Sequence, residues 1–260
     1  MGTKARSCRV IVSCFRYGRS ARNNSPPTPE SGVRFLQRII KAELDIKTEE
    51  KYDLIIVNHD TGYIPGNQYI EALNGESLGE NKGTIRTITV PNRGASFGGY
   101  STAFKMFAPD YEYWIFSEDD HILYQDNYYD HFIKEYEEYK DNNIGFLAFA
   151  PIATHDQHTP KHSGGGFGLC KKEDLAKILD IYNGRDLSCL SSRGIISAAE
   201  VFFTHDFITI GKEILPQLTY SCYPVNHHKC ADHTIHRNLR KLEDNENYFF
   251  QVGIGDGEEW

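Results

Sequence analysis

Three acidic residues stand together after an apolar run, in the segment YWIFSEDDH from Tyr113 to His121. Adjacent carboxylates repel one another unless a positive charge lies beside them. Because side chains alternate in direction along a strand, Glu118 and Asp120 can point the same way. Mg²⁺ and Mn²⁺ are hard cations that take carboxylate oxygens and leave positions open for phosphate. The triplet therefore predicts a divalent-cation site, with a solvated acidic turn before a helix as the alternative.

Two other segments carry groups that suit a nucleotide. In VPNRGASFGGY, Asn92 suits a tight turn, Arg93 can pair with a phosphate, and the following helix start offers free N–H groups to an anion. In IIVNHDTG, Asn58 and Asp60 follow an apolar run and could hold a base or a ribose. A glycine-rich packing turn and an Asx turn are the respective alternatives.

Candidates for proton transfer lie further along the chain. Glu200 and Asp206 flank an aromatic run in SAAEVFFTHDF, and either could be a buried carboxylate with a raised pKa. An ordinary helix start is the alternative. The stretch NHHKCADHTIH is rich in histidine, but its spacing fits no established zinc finger. We expect one histidine, His227, to reach the same cation as Asp120, unless these histidines are merely exposed and polar.

The elements that would position these residues alternate between strand and helix. Runs rich in β-branched and aromatic residues predict strands at Arg9–Ser13, Asp53–Asn58, Thr84–Val90, Tyr113–Ser117 and Ile144–Ala150. The spacing of apolar residues predicts helices at Ser31–Ala42, Ser96–Phe107, Asn127–Tyr139 and Lys172–Ile181. This alternation predicts an α/β fold with a mostly parallel central sheet flanked by helices. Ligands in such sheets bind beyond the carboxyl ends of the strands, where the polar groups fall.

Composition limits the classes of function. The length of 260 residues suits a single catalytic domain over 1–260, with about 211–260 as an irregular C-terminal cap. A net charge of −8 gives no long-range attraction for nucleic acid. The six scattered cysteines are typical of reduced intracellular thiols. Since no segment approaches about 18 consecutive apolar residues, we expect a cytoplasmic protein without a transmembrane segment.

The order of these segments resembles the GT-A superfamily of nucleotide-sugar glycosyltransferases, in particular its family-2-like members. The likeness runs from Arg9 to about Asp206. It is carried by five matches in order: SCF at the end of the first strand, VNHD, NRGASFGGY, EDD, and GGGFG with Glu200 downstream. The EDD triplet looks like the D-x-D metal motif of that superfamily. The resemblance implies a GT-A (Rossmann-like) fold.

On the nucleoside side, the resemblance implies a base pocket lined by Ser13, Cys14 and Phe15. Asn58 and Asp60 would hold the base and the ribose.

On the phosphate side, the resemblance implies that Asn92 and Arg93 lie beside the nucleotide, or that Arg93 helps to position the acidic cluster. Glu118 and Asp120 would flank the metal and the diphosphate, and Asp119 would lie near the ribose or the sugar. The implied cofactor is Mn²⁺ or Mg²⁺.

The reaction implied by the resemblance moves a sugar from a UDP- or GDP-linked donor to a glycan or another hydroxyl acceptor. Gly164 to Gly168 would form a loop on the acceptor side. Many inverting members carry Glu-Asp there with the Asp as base, whereas this chain has Glu200-Val201. Glu200, or its neighbour Asp206, would then be the catalytic base.

Two other classes of protein remain open. One is a nucleotidyltransferase acting on a sugar phosphate, for which the basic segment from Arg16 to Arg19 gives partial support. The other is a non-catalytic sugar- or metal-binding protein that uses the histidine-rich stretch.

Overall fold

A seven-stranded sheet organises the part of the chain that the computed structural model describes, namely residues 4–13, 29–91, 95–118, 122–123, 126–148, 152–153, 162–163, 167–183, 202–216 and 250–251. The strands in chain order are β1 (Ser7–Ser13), β2 (Tyr52–Asp60), β3 (Ile85–Pro91), β4 (Tyr113–Glu118), β5 (Ile122–Leu123), β6 (Ile144–Ala148), β7 (Ile152–Ala153), β8 (His162–Ser163), β9 (Gly168–Lys171), β10 (Glu213–Pro216) and β11 (Phe250–Gln251). Two short pairs, β5 with β11 and β7 with β8, stand apart from the central sheet.

The strand order of the central sheet is β10-β6-β9-β4-β1-β2-β3. Strands β4, β1, β2 and β3 run parallel to one another, and β10 runs parallel to β6. Strand β9 is antiparallel to both β4 and β6. The α/β fold with a mostly parallel sheet, predicted from the sequence, is therefore confirmed.

Helices flank the sheet. In chain order they are α1 (Pro29–Asp45), α2 (Ile64–Leu73), α3 (Ala95–Phe107), α4 (Tyr128–Glu138), α5 (Lys172–Asn183) and α6 (202–209). Short 3-10 turns follow α3 at Ala108–Asp110 and α4 at Lys140–Asn142. Among these helices, none is long and apolar enough to cross a membrane.

Strand alternation divides the core into two layers. On β1, Ile11 packs into one layer, while Val10 and Val12 pack into the other. The first layer lies under α1, α2 and α4, and the second under α3, α5 and α6. Coverage on both faces explains why β1 and β2 are nearly continuous apolar runs in the sequence.

The predicted elements lie where the sequence places them, and the described residues also form elements that were not predicted. Each of the five predicted strands agrees with an observed strand to within two residues at either end. The additional elements are α2, α6 and the short strands β5, β7, β8, β9, β10 and β11, and of these the sequence offered only the start of α6, as an alternative. Strand β10 lies inside the segment that the sequence predicts as a C-terminal cap, and it pairs with β6 in the central sheet.

A buried ion pair ties the middle of the sheet to α1. The Arg9 guanidinium pairs with the Glu43 carboxylate, and its Nε donates a hydrogen bond to Ser117 Oγ at 2.9 Å. The hydroxyls of Tyr52 and Tyr129 donate to Glu43 at 2.6 and 2.9 Å. Burial raises the pKa of both tyrosines. The network therefore fixes the end of β4, one residue before Glu118.

Two cysteines, Cys8 and Cys170, fall within the described residues, and both are free buried thiols. Burial raises the pKa of each thiol well above its usual value, which keeps both in the unreactive protonated form.

Candidate functional site

The carboxyl ends of four parallel strands meet at one edge of the sheet. In the register of the sheet, Ser13 at the end of β1 pairs with Asn58 on β2, and Asn58 pairs with Thr89 on β3. On the other side of β1, Val12 pairs with Glu118, the last residue of β4. Segments far apart in the sequence are thus brought to adjacent positions, as the predicted sheet requires.

Asn58 presents an unsatisfied acceptor at this edge. Its side chain is fully buried, and its Nδ2 donates to Asn67 Oδ1 at 2.8 Å and to Thr89 Oγ1 at 3.3 Å. Its Oδ1 is buried and has no hydrogen-bond partner among the described residues. Leaving a buried acceptor unpaired costs about 1–3 kcal/mol, so such an atom in a folded protein calls for an explanation.

Ser13 presents a second unsatisfied group beside the first. Its side chain is fully buried, and its Oγ has no hydrogen-bond partner within the described part of the chain. Because Ser13 and Asn58 are register partners, they lie on the same face of the sheet. A serine hydroxyl can donate or accept, whereas the free Oδ1 of Asn58 only accepts. Together the two residues offer a donor and an acceptor to a ligand at the strand ends.

Asp60 lies at the exposed end of β2 and forms the Asx turn that the sequence left open. Its Oδ1 accepts hydrogen bonds from the Gly62 N–H at 2.8 Å and from Asn67 Nδ2 at 2.9 Å. Gly62 has a φ of 78°, in the left-handed region that favours glycine. The hydrogen bond from Asn67, followed by that from Gly62, lowers the pKa of Asp60 below its usual value. Asp60 is therefore ionised at neutral pH.

Of the acidic triplet Glu118 to Asp120, the structure describes only the backbone of Glu118. Strand β4 ends at Glu118, whose backbone pairs with β1 at the carboxyl edge. The side chain of Glu118 lies outside the described part of the structure, as do residues 164–166 of the predicted acceptor-side loop and eight other predicted site residues: Cys14, Phe15, Asn92, Arg93, Asp119, Asp120, Glu200 and His227. Within the described residues, no group of three or more His, Cys, Asp or Glu side chains could hold a metal ion. The metal site thus stays a prediction.

Asp206 lies on α6, in the core layer opposite to that of Asn58. The carboxyl group is buried, and its Oδ2 has no hydrogen-bond partner among the residues that the structure describes. The neighbouring Phe203 ring packs against Phe97 and Phe116, with ring centroids 5.5 and 5.7 Å apart. Phe116 lies near the carboxyl end of β4, so these contacts anchor the start of α6 close to the candidate site.

The glycine-rich segment is attached to α6. Thr204 Oγ1 accepts a hydrogen bond from the Ser163 N–H at 2.9 Å and donates to the Ser163 carbonyl oxygen at 3.2 Å. Ser163 precedes Gly164, so the start of the predicted acceptor-side loop is tied to the helix that follows Glu200. Gly168, predicted as the end of that loop, lies instead in β9, where an added Cβ would clash with the Leu147 carbonyl oxygen.

Several residues of the site were not predicted from the sequence. Asn67 on α2 contacts both Asn58 and Asp60, and Ser117 links the end of β4 to the buried Arg9. The local signal for Asn67 is weak, because the preceding Pro65-Gly66 pair is typical of a turn. Its role depends on the packing of α2 beside β2.

The fold and the site together define an α/β protein. At the carboxyl edge of its parallel strands, two buried polar atoms have no hydrogen-bond partner among the described residues. No family model matches the chain. No curated protein matches it either.

Among solved structures, the chain is similar to crystal structures of S. aureus TarS. One match has 8% identity and a TM-score of 0.37, covering 66% of this chain and 29% of that chain. A second, with S. aureus TarS 1-349, has 11% identity and a TM-score of 0.38, covering 68% and 50%. The chain thus spans half or less of each TarS chain. Similarity at this level assigns no activity, and the fold is defined by the strand order itself.

Proposed function

We propose that this protein is a metal-dependent glycosyltransferase that moves a sugar from a UDP- or GDP-linked donor to a hydroxyl acceptor. The observation that carries the proposal is the pair of buried, unsatisfied polar groups on Ser13 and Asn58, at the edge where β4 leads into Glu118-Asp119-Asp120. The order of motifs in the sequence, which resembles GT-A enzymes, supports the same assignment.

The chemistry of the two buried groups suits a particular kind of base. The Oδ1 of Asn58 needs a donor, and the hydroxyl of Ser13 can donate to a carbonyl. Uracil and guanine each present a ring N–H beside a C=O, which matches this pair. Phe15 would add an apolar wall to the base pocket, and Asp60 would take a ribose hydroxyl through its remaining acceptor capacity.

The diphosphate would lie next to the base, toward β4. Arg93 and Asn92 follow β3 and would pair with phosphate oxygens, and Asp119 would lie near the ribose or sugar. Glu118 and Asp120 would supply the carboxylate oxygens that Mn²⁺ and Mg²⁺ prefer, and His227 would add an imidazole nitrogen as a third ligand. A divalent cation bound there would offset the negative charge that develops on the leaving diphosphate.

The acceptor would enter from the side of α6. Glu200 stands two residues before Phe202, the first described residue of a helix that packs near the end of β4. In the proposed reaction Glu200 takes the proton from the acceptor hydroxyl as that oxygen bonds to the anomeric carbon. The bond to the diphosphate breaks on the opposite face, so the anomeric configuration inverts and a nucleoside diphosphate leaves. The sugar carries oxocarbenium character at the transition state.

A thermal-shift screen tests this function. A ligand that binds the folded state raises the melting temperature, so a UDP- or GDP-sugar should raise it in the presence of Mn²⁺ and not with a chelator. Asp120→Ala should remove the Mn²⁺-dependent part of the shift, whereas Asp141→Ala, an exposed aspartate in a 3-10 turn, should leave it unchanged.

Product analysis separates the proposed function from the other classes of protein. A glycosyltransferase releases a nucleoside diphosphate from the donor, whereas a nucleotidyltransferase releases pyrophosphate. A protein that shows no nucleotide-dependent shift but binds zinc tightly would contradict the proposal.

A further inference from the structure

Asn67 links the exposed carboxylate of Asp60 to the buried amide of Asn58. It lies half-buried on α2, where Gly66 and Ile70 pack the helix into the core. Its Nδ2 donates to Asp60 Oδ1 at 2.9 Å, and its Oδ1 accepts from Asn58 Nδ2 at 2.8 Å. The three side chains form a chain of hydrogen bonds that runs from solvent to the buried side chain of Asn58 on β2.

The direction of this chain is set at its exposed end. An ionised aspartate can only accept hydrogen bonds, so the atom of Asn67 that faces Asp60 must be the amide nitrogen. The carbonyl oxygen of Asn67 then faces Asn58, and the atom of Asn58 that it meets must be a donor. The Oδ1 of Asn58 is therefore the atom left without a partner, as the structure has it.

The other partner of Asn58 cannot set this orientation. Thr89 carries a hydroxyl, which can donate or accept and so satisfies either end of an amide. Thr89 is also exposed on the edge strand, and its contact with Asn58 is the longer of the two at 3.3 Å. Without Asn67, the side-chain amide of Asn58 could rotate by about 180°, which exchanges Oδ1 and Nδ2, at little cost in free energy.

We propose that Asn67 determines which bases the site accepts, by holding the Asn58 amide with its oxygen turned to the ligand. The inference rests on the proposed function, because it takes Asn58 to contact the base. A base that presents a ring N–H satisfies the oxygen. Cytosine and adenine present a ring nitrogen lone pair at the corresponding position, and two acceptors then face each other in a buried site. Asn67 acts through Asn58 and is a positioning residue.

The experiment compares nucleotides that differ at this edge. Binding of UDP, CDP, GDP and ADP is measured by calorimetry with Mn²⁺ for the full chain and for Asn67→Ala and Asn67→Ser. Serine keeps a polar group that, like threonine, fixes no direction, and it serves if the alanine variant folds poorly. Gln68→Ala is the matched control, since Gln68 is an exposed amide at the next position of the same helix.

The native protein should prefer UDP to CDP, or GDP to ADP, by about 10- to 100-fold, as expected for one buried hydrogen bond replaced by an unpaired group. Both Asn67 variants should reduce this ratio to roughly 3-fold or less. Gln68→Ala and Thr89→Val should keep it. A purely structural role for Asn67 would weaken both nucleotides together and leave the ratio unchanged.

Two results overturn the inference in distinguishable ways. If the native protein binds nucleoside diphosphates and the Asn67 variants keep the native ratio, Asn67 does not determine the base and the proposed function stands. If the native protein binds none of the four nucleotides, the proposed function fails and this inference fails with it.

Discussion

At the scale of single residues, the two candidate bases differ in what surrounds them. Asp206 is buried on α6 in an aromatic layer, beside Phe203 and Phe207. Glu200 precedes that helix in the sequence, and the start of the described helix is anchored near the end of β4 by the contact of Phe203 with Phe116. A general base must reach the proton that it removes, and the burial of Asp206 is the reason why Glu200 is the proposed base.

Glu200→Gln should reduce turnover by about 10²- to 10⁴-fold, the usual contribution of general-base catalysis. Affinity for the donor should stay within a few-fold of the native value, because the amide keeps the size of the side chain. Turnover and donor binding are measured on the same preparations. Asp206→Asn is the matched variant, because it makes the same change from carboxylate to amide at the other candidate base, which is buried on α6. If Glu200→Gln stays fully active while Asp206→Asn loses this factor, the base is Asp206.

At the scale of elements, continuous apolar runs made five strands of the central sheet predictable, namely β1, β2, β3, β4 and β6. Strand β9 was missed because only four residues pair there, directly after a run of glycines typical of a loop. Helix α2 was missed because Pro65 and Gly66 stand in its first turn and only two of its residues are buried.

In the site, Ser13, Asn58 and Asp60 were predicted because each lies at or near the end of a strand that the sequence predicts. Asn67 was not, since its contacts arise only when α2 packs on the sheet.

The packing of α3 against β1 leaves no room at Gly99. A Cβ there would come 2.5 Å from Val12 Cγ2 and 2.9 Å from Val12 Cγ1. Helix propensity alone favours alanine over glycine by about 1 kcal/mol. Overpacking costs about 1–3 kcal/mol, so Gly99→Ala should lower the free energy of unfolding. Urea denaturation measures the change.

The double variant Val12→Ala/Gly99→Ala tests the cause of this loss. Since Val12→Ala removes the two methyl groups in the way, the alanine at 99 should cost less in that background than in the native one. Equal costs in both backgrounds would assign the loss to another contact.

Neutralising one partner of the buried ion pair between β1 and α1 should lower the free energy of unfolding strongly. Glu43→Gln keeps the shape of the side chain but leaves the Arg9 charge without its counter-ion, and such changes cost about 3–5 kcal/mol. Lys41→Met removes an exposed ion pair with Asp45 on the same helix and should cost under about 1 kcal/mol. Both are measured by urea denaturation. Similar costs for the two variants would mean that Arg9 finds another way to satisfy its charge.

At the scale of the whole molecule, the candidate site lies where the two core layers end. Ser13 and Asn58 belong to the face covered by α1, α2 and α4, whereas Phe203 and Asp206 belong to the face covered by α3, α5 and α6. In the proposed function, the nucleobase of the sugar donor would be held on one face of the sheet. The acceptor substrate would enter from the other face. The sugar would be transferred at the strand edge between them.

The start of the chain and the edge strand are joined by one carboxylate, and this link should depend on pH. Asp110 Oδ1 accepts from Lys4 Nζ, and its Oδ2 accepts from Arg86 Nη1 on β3, both at 2.6 Å. These hydrogen bonds, that of Arg86 first, hold the pKa of Asp110 below its ordinary value of 3.8. A lowered pKa in the folded state means that the stabilisation is present above 3.8 and is lost as the pH falls through the folded value.

Asp110→Asn should therefore destabilise the protein slightly at neutral pH, by less than about 1 kcal/mol, because the ion pair with Lys4 is exposed, that with Arg86 is only partly buried, and solvent screens both. The difference from the native protein should stay constant between about pH 7 and pH 5 and then shrink toward pH 3, as the native carboxylate takes up a proton. Urea denaturation at a series of pH values measures it. A difference that persists unchanged to pH 3 would mean that the asparagine alters packing at the end of α3, and that the charge of Asp110 contributes nothing.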